Sequence, residues 1–265
     1  MKVPFTHEDH TFVICAYGEC AYLEECIRSV VGQTVKTNVI LATSTPLGSI
    51  RALAEKYGIP VFVNRGETGI AGDWNFAISC AETKLVTIAH QDDVYEPDYA
   101  GEMLAVMNRS RRPILFFSDY RELRGGEKVH SNRLLRIKRI LRIPMTTFPG
   151  QVWARRLSLC FGNSISCPTV TYVKSIMDRH PFRSGFRSDL DWQMWELLSR
   201  EKGCFAFSPK ALMCHRIHAD SETSHVLESN ARQQEDYAMF RKFWPEGMAR
   251  RLQRMYSGSE KSNQL

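Results

Sequence analysis

The chain has 265 residues, 43% hydrophobic and 24% charged, enough to bury a full core in one large domain or two small ones. No apolar run approaches the roughly 18 residues of a membrane span, the opening MKVPFTHEDH puts acids and His where a secretion signal needs an apolar stretch, and no repeat or low-complexity tract occurs, so a soluble, non-exported protein is expected. The net charge of +6 is uneven: from Lys128 to Met177 there are nine basic residues and no acid, a region that faces or tolerates something anionic.

Taken in chain order, Thr11–Tyr17 is a short continuous apolar run that reads as a buried strand. Leu23, Cys26, Ile27, Val30 and Val31 then recur at helical spacing. A second strand over Asn38–Ala42, a helix through Ile50–Tyr57 stopped by Gly58, and a third strand over Pro60–Val63 follow. Gly72 precedes a helix carrying Trp74, Ala77, Ile78 and Ala81, with Trp74 read as core, and Lys84–Ala89 forms a fourth strand. Strands alternating with such helices predict βαβ units and a parallel sheet.

Ligands of such sheets bind beyond the carboxyl ends of the strands. His90, Gln91, Asp92 and Asp93 stand at that end of the fourth strand and Tyr17 at that end of the first. Adjacent carboxylates repel unless solvent or a cation relieves them, and a hard divalent cation takes carboxylate oxygens together with waters and substrate phosphates. By position alone the two acids serve equally well as caps of a helix beginning near Pro97.

TFVICAYGECAYLEECIRSVVGQT resembles the opening of family 2 glycosyltransferases. GDWNFAISCAETKLVTIAHQDDVYEPDYAGEML is similar to that family's next block, a helix, a strand and an Asp-x-Asp motif followed by Asp. SDLDWQMWELLSREKGCFAFSPKALMCHRIHADSET looks like its Glu-Asp-Trp-x-x-Trp helix and the strand pair ending in Tyr-Arg-x-His. Together the three blocks span residues 11 to 225. The resemblance implies the GT-A fold, a Rossmann-like, mostly parallel sheet flanked by helices, and transfer of a sugar from a nucleotide diphosphate donor. It implies a nucleotide-sugar half over 1–110, an acceptor half over 111–225 and a C-terminal helix and tail over 226–265.

Residue by residue, the resemblance makes Asp92 a ligand of a divalent cation, Mn²⁺ or Mg²⁺, with His90 in place of the motif's first acid and His218 at the Tyr-Arg-x-His position. Imidazole suits Mg²⁺ poorly, so His90 is a departure that bears on the metal. Asp93 would orient the donor sugar or support the metal, with Gln91 as spacer on the donor side. Asp191 matches the acid of Glu-Asp-Trp and is the candidate general base, with Asp189 as rival and helix capping as the alternative for both. Asp191 and Trp195, four residues apart on one helix, would frame the acceptor. Asn163, in FGNSISCPTVTY, would join them. On the nucleotide side stand Ala16, Tyr17 and Glu19 after the first strand, Thr43 and Ser44 after the second, where the family usually carries an acid, and Asp73 and Asn75 on the third helix, Asp73 being equally a helix cap.

In RLLRIKRILRIP, Leu134, Ile137, Ile140 and Leu141 fall on one helical side and Arg136, Lys138, Arg139 and Arg142 on the other. A basic amphipathic segment over 131–144 would suit peripheral contact with an anionic membrane and a lipid-linked acceptor; it would equally suit a solvated basic face. No nucleic-acid module is present. The eight cysteines form no Cys-x-x-Cys pair and read as reduced, buried residues of a cytoplasmic protein. Tyr237, Phe240 and Trp244 predict a last helix, after Glu228, before a disordered SGSEKSNQL tail. A nucleotide- or carbohydrate-binding protein with a decayed site, and a metal-dependent phosphohydrolase, remain open. The resemblance extends to an inverting enzyme of bacterial surface polysaccharide synthesis, by analogy with the family.

Overall fold

A computed structural model describes residues 3–218 and 230–261. Its first part follows the alternation in the sequence: β1 (His10–Ala16), α1 (Leu23–Val31), β2 (Asn38–Thr43), α2 (Gly48–Lys56), β3 (Val61–Val63), α3 (Ile70–Cys80) and β4 (Leu85–His90). These four strands pair in parallel in the order β3-β2-β1-β4. Side chains of β1 alternate between the two faces, as the pleat requires. Phe12 and Ile14 enter a core with Tyr95, Tyr99 and Phe116, whereas Val13 enters another with Tyr172, Trp192 and Trp195. Gly72 lies inside α3 rather than before it. A side chain there would collide with the Glu67 carbonyl oxygen, so glycine lets the preceding loop close against the helix.

The chain continues through β5 (Val94–Tyr95), α4 (Tyr99–Arg109), β6 (Pro113–Arg124), β7 (Glu127–Val129), α5 (Arg133–Leu141), α6 (Ile143–Thr147) and α7 (Val152–Leu159). Then come β8 (Thr171–Val173), α8 (Lys174–Met177), α9 (Leu190–Leu198) and β9 (Cys204–Ile217). The sheet runs on without a break as β4-β8-β6-β9-β5, with β7 against β6. Its added part is mixed: β8 is antiparallel to β4 and β6, β5 is antiparallel to β9, and β6 and β9 are parallel. The parallel character read from the sequence therefore belongs to the first four strands.

Gln33, wholly buried, fixes the start of the second part. Its amide donates to the Ser29 and Glu96 carbonyls and accepts from the Ala100 N–H, joining the end of α1 to the loop between β5 and α4.

The C-terminal part holds two helices, α10 (Asn230–Arg241) and α11 (Glu246–Lys261). Trp244 lies between them. Residues 257 to 261 of the expected tail are helical, while 262–265 and the 219–229 stretch with Glu228 fall outside the described residues. All eight cysteines are free and at least partly buried. Among the described residues no helix is long and apolar enough to cross a membrane.

Candidate functional site

β4 is buried until His90, where the chain turns and reverses into β5. Val94 pairs opposite Cys214, which lays the end of β9 alongside that turn. Asp93 is wholly buried: its Oδ1 accepts the Arg216 backbone N–H at 2.9 Å and lies 3.0 Å from His215 Nδ1. A direct donor contact is closed to Asp93, whose carboxylate instead fixes the chain on which His218 stands. Asp92 Oδ2 lies 3.0 Å from His218 Nε2, both side chains being partly exposed. Arg216 locks the arrangement from beneath. Its guanidinium donates to the Asp92 carbonyl at 2.8 Å, packs over the Tyr22 ring at 4.1 Å and pairs with Glu25 of α1.

His90 stacks on Trp74, ring centroids 5.3 Å apart, and its Nδ1 is 3.8 Å from Asp93 Oδ2; Trp74 is half-buried and packs against the core, as expected, while one side of its ring meets His90. The His90 Nε2 is enclosed without a hydrogen-bond partner. Burial works to raise the Asp92 pKa, but the charges of His90 and His215 and the hydrogen bond with His218 outweigh it and hold the carboxyl below its ordinary value. His215 is the counterpart. Burial lowers its pKa, and the Asp93 carboxylate more than reverses that.

Among the described residues no group of three or more acidic, His or Cys side chains is arranged to hold an ion. Asp92, kept ionised, and the adjacent His218 imidazole fit a divalent cation that takes two protein ligands and completes its shell with phosphate oxygens and water. The carboxylate–imidazole set suits Mn²⁺ better than Mg²⁺.

On the nucleotide side, the Gln91 amide makes a reciprocal pair with the Tyr17 backbone, accepting its N–H and donating to its carbonyl, each at 2.9 Å. Both ends of this amide are thus spent on joining β1 to β4, and the Tyr17 ring is exposed. Ala16 and Thr43 are buried at the strand ends; the Thr43 hydroxyl accepts the Thr45 N–H, and Thr45 in turn accepts the Gly18 N–H. Glu19 accepts from Ser49 at the surface. Asp73 receives the Ser44 hydroxyl at 3.0 Å and the Asn64 amide at 2.8 Å, so an acid from α3 stands beside the end of β2, where the sequence has none. Asn75 is not available to a nucleotide. Its amide exchanges two hydrogen bonds with the Phe182 backbone.

Asp191 occupies the first turn of α9 and is partly exposed. Its oxygens accept the Asn163 amide at 2.8 Å and the Trp192 N–H at 2.6 Å. Burial raises its pKa; the bond from Asn163, that from Trp192 and the charge of Lys138 oppose this without cancelling it. Asn163 thus orients Asp191. Trp195 is a correction: it is wholly buried and stacked on Tyr172 at 5.9 Å, so it has no face to offer an acceptor. Tyr172 of β8 covers Trp195, and Phe240 of α10 packs on the neighbouring Trp192. Asp189, the rival base, is buried beside Asp236, and burial and that second carboxyl push its pKa well up; burial also keeps it from an acceptor hydroxyl.

Two further residues contribute, Glu235, which no sequence pattern marks, and Lys138, expected only as part of a basic helix face. Glu235, on α10, accepts the backbone N–H groups of Arg187, Ser188 and Asp189, clamping the segment that leads into Asp191. Lys138, on α5, donates to the Tyr120 hydroxyl at 3.2 Å, and its charge acts on both Asp191 and His215, linking the two ends of the cleft. Lys138 shares the inner side of α5 with Arg139, and both Arg139 and Arg142 pair with Asp119 of β6. Of the four basic residues expected on one side of 131–144, Lys138, Arg139 and Arg142 are therefore turned inward, towards the buried acids and hydroxyls of β6, while Arg136 stays exposed.

The family model described as glycosyl transferase family 2 matches residues 11–161. A curated relative from Haemophilus influenzae, called an uncharacterized glycosyltransferase, is 22% identical over 80% of this chain and 66% of its own length, so this chain spans just under two thirds of it. Among solved structures, a mannosyltransferase from Pyrobaculum calidifontis in complex with GDP-Man and Mn²⁺ superposes with a TM-score of 0.65, at 12% identity over 97% of this chain and 76% of that one. S. aureus TarS 1-349 in complex with UDP-GlcNAc gives 0.60, at 14% identity over 92% and 70%. A glucosyl-3-phosphoglycerate synthase from Mycobacterium tuberculosis with Mn²⁺ and UDP-glucose gives 0.58, at 15% identity over 92% and 86%. Three structures this distant in sequence share the layout of strands and helices found here, the GT-A fold, and with a family match covering more than half of the residues the chain belongs to glycosyl transferase family 2.

Proposed function

We propose that this chain transfers a sugar from a nucleotide diphosphate donor to a hydroxyl of a saccharide or lipid-linked acceptor, with inversion and with help from a divalent cation. The observation that carries the reading is the meeting of Asp92 and His218 at 3.0 Å, beyond the carboxyl ends of β4 and β9, where ligands of such sheets bind. Those two side chains would hold the cation, with His90 behind them. When bound, the cation offsets charge developing on the departing diphosphate.

The residues divide the remaining work. Tyr17, Ser44 and Asp73 line the edge at which the nucleotide base and ribose would be read, with Ala16, Thr43 and Glu19 shaping it. Asp93, Gln91 and Arg216 orient rather than touch the donor. Asp191 takes the proton of the acceptor hydroxyl; burial raises its affinity for that proton and Asn163 aims it. A place in bacterial surface polysaccharide synthesis, on the cytoplasmic side of a membrane, fits this chemistry and the family.

The test is thermal stability against UDP, dTDP, GDP and CDP, each with and without Mn²⁺, in the parent and in Asp92→Asn, followed by donor turnover. A Mn²⁺-dependent stabilisation by one nucleotide, about 2.7 kcal/mol at a hundredfold excess over Kd and lost in the variant, is expected. Equal stabilisation in parent and variant overturns the role of Asp92, and binding without turnover favours a decayed site.

A further inference from the structure

We propose that the outward face of α5–α7, continued by α11, rests on the surface of an anionic lipid bilayer. α5 is reversed relative to its sequence pattern: Lys138, Arg139 and Arg142 turn towards β6, which leaves the apolar residues outside. Ile140 is 64% exposed and Ile143 55% exposed. Beyond them Phe148 and Trp153, ring centroids 5.5 Å apart, are both about half exposed, and Leu157 on α7 and Phe161 just after it extend the patch. A run of large apolar side chains over three successive helices exceeds the scattered exposure normal for a surface.

Charge and composition select the occupant. Arg133 and Arg136 are exposed on the same side of α5 as Ile137 and Ile140. Phe161 packs on Trp244 and Gly162 lies against Tyr256, so α11 adjoins the patch and adds exposed Arg251, Arg254 and Met255. No acid occurs from 128 to 177 or from 247 to 259. Ile, Phe and Trp that can enter the headgroup boundary, flanked by arginines and free of carboxylates, match an interfacial surface facing lipid phosphates. The docking itself is independent of the sugar-transfer reading.

The experiment is co-sedimentation of the full chain with mixed phosphatidylglycerol–phosphatidylcholine vesicles and with phosphatidylcholine vesicles, at low and high salt, alongside its molar mass in solution. The expected result is binding to the anionic vesicles that weakens with salt, falls roughly tenfold or more in Phe148→Ser/Trp153→Ser, and falls roughly fivefold per charge in Arg133→Glu/Arg136→Glu. Both variants alter exposed side chains and should keep the parent melting temperature and nucleotide response. Absence of binding to anionic vesicles at low salt overturns the proposal, as does binding that neither variant reduces. A dimer dissolved by Phe148→Ser/Trp153→Ser, without vesicle binding, assigns the face to a second copy and overturns it equally. Loss of nucleotide response in the parent, with vesicle binding intact, would fault the transferase reading alone.

Discussion

Asp92 and Asp191 are the same side chain in opposite settings. Around Asp92, histidine charges outweigh burial and keep the carboxylate ionised; around Asp191, burial outweighs one amide, one N–H and one ammonium and favours the proton. A cation ligand must stay ionised, whereas a base must take a proton and hold it. Under the proposed function each acid's role follows from what surrounds it, and much of that comes from distant segments: His215 and His218 for Asp92, Asn163 and Lys138 for Asp191.

The strongest way to break the comparison is Asp191→Asn. Transfer should fall on the order of 10²- to 10⁴-fold in kcat while the nucleotide-induced rise in melting temperature survives. If turnover persists, the base lies elsewhere. Next in size is Trp195→Ala, which should cost about 3–5 kcal/mol in denaturant unfolding because a stacked, wholly buried ring is removed. A change in acceptor KM at unaltered stability would instead restore Trp195 to the acceptor site.

Glu235→Ala removes the acceptor of three backbone N–H groups and should cost about 1–3 kcal/mol. Since the clamp leads into Asp191, kcat should drop with nucleotide binding unchanged; parallel losses of both would mean general unfolding. The finest probe is pH. The base acts ionised and its pKa is raised, so kcat/KM is complete on the alkaline side and lost as pH falls through a value above the ordinary carboxylate range. Asn163→Ala removes a bond that favours the ionised form, so that limb moves to higher pH. A limb that stays put would show that Asn163 does not act on the titrating group.

Legibility followed the same division. β1 to β4 and α1 announce themselves by local period, and the acids at the end of β4 by following a buried run, so the parallel half and the position of Asp92 could be read directly. The face of α5 could not. Its apolar spacing fits packing on either side, and the choice was made by Asp119, 20 residues away from Arg139 along the chain. Asn75 serves the Phe182 backbone 107 positions on, and Glu235 clamps groups 46 to 48 positions before it, so no local pattern marks either role. Trp195 misled for a related reason: i, i+4 spacing shows that two residues share a helix side, but not whether that side is covered.

The most direct test of the account is Mn²⁺ binding followed by electron paramagnetic resonance, in the presence of the nucleotide diphosphate that stabilises the protein, for the parent, Asp92→Asn and His218→Ala. The account predicts a bound Mn²⁺ signal in the parent and an affinity lower by roughly 10- to 100-fold or more in each variant. Undiminished affinity in both variants would contradict it.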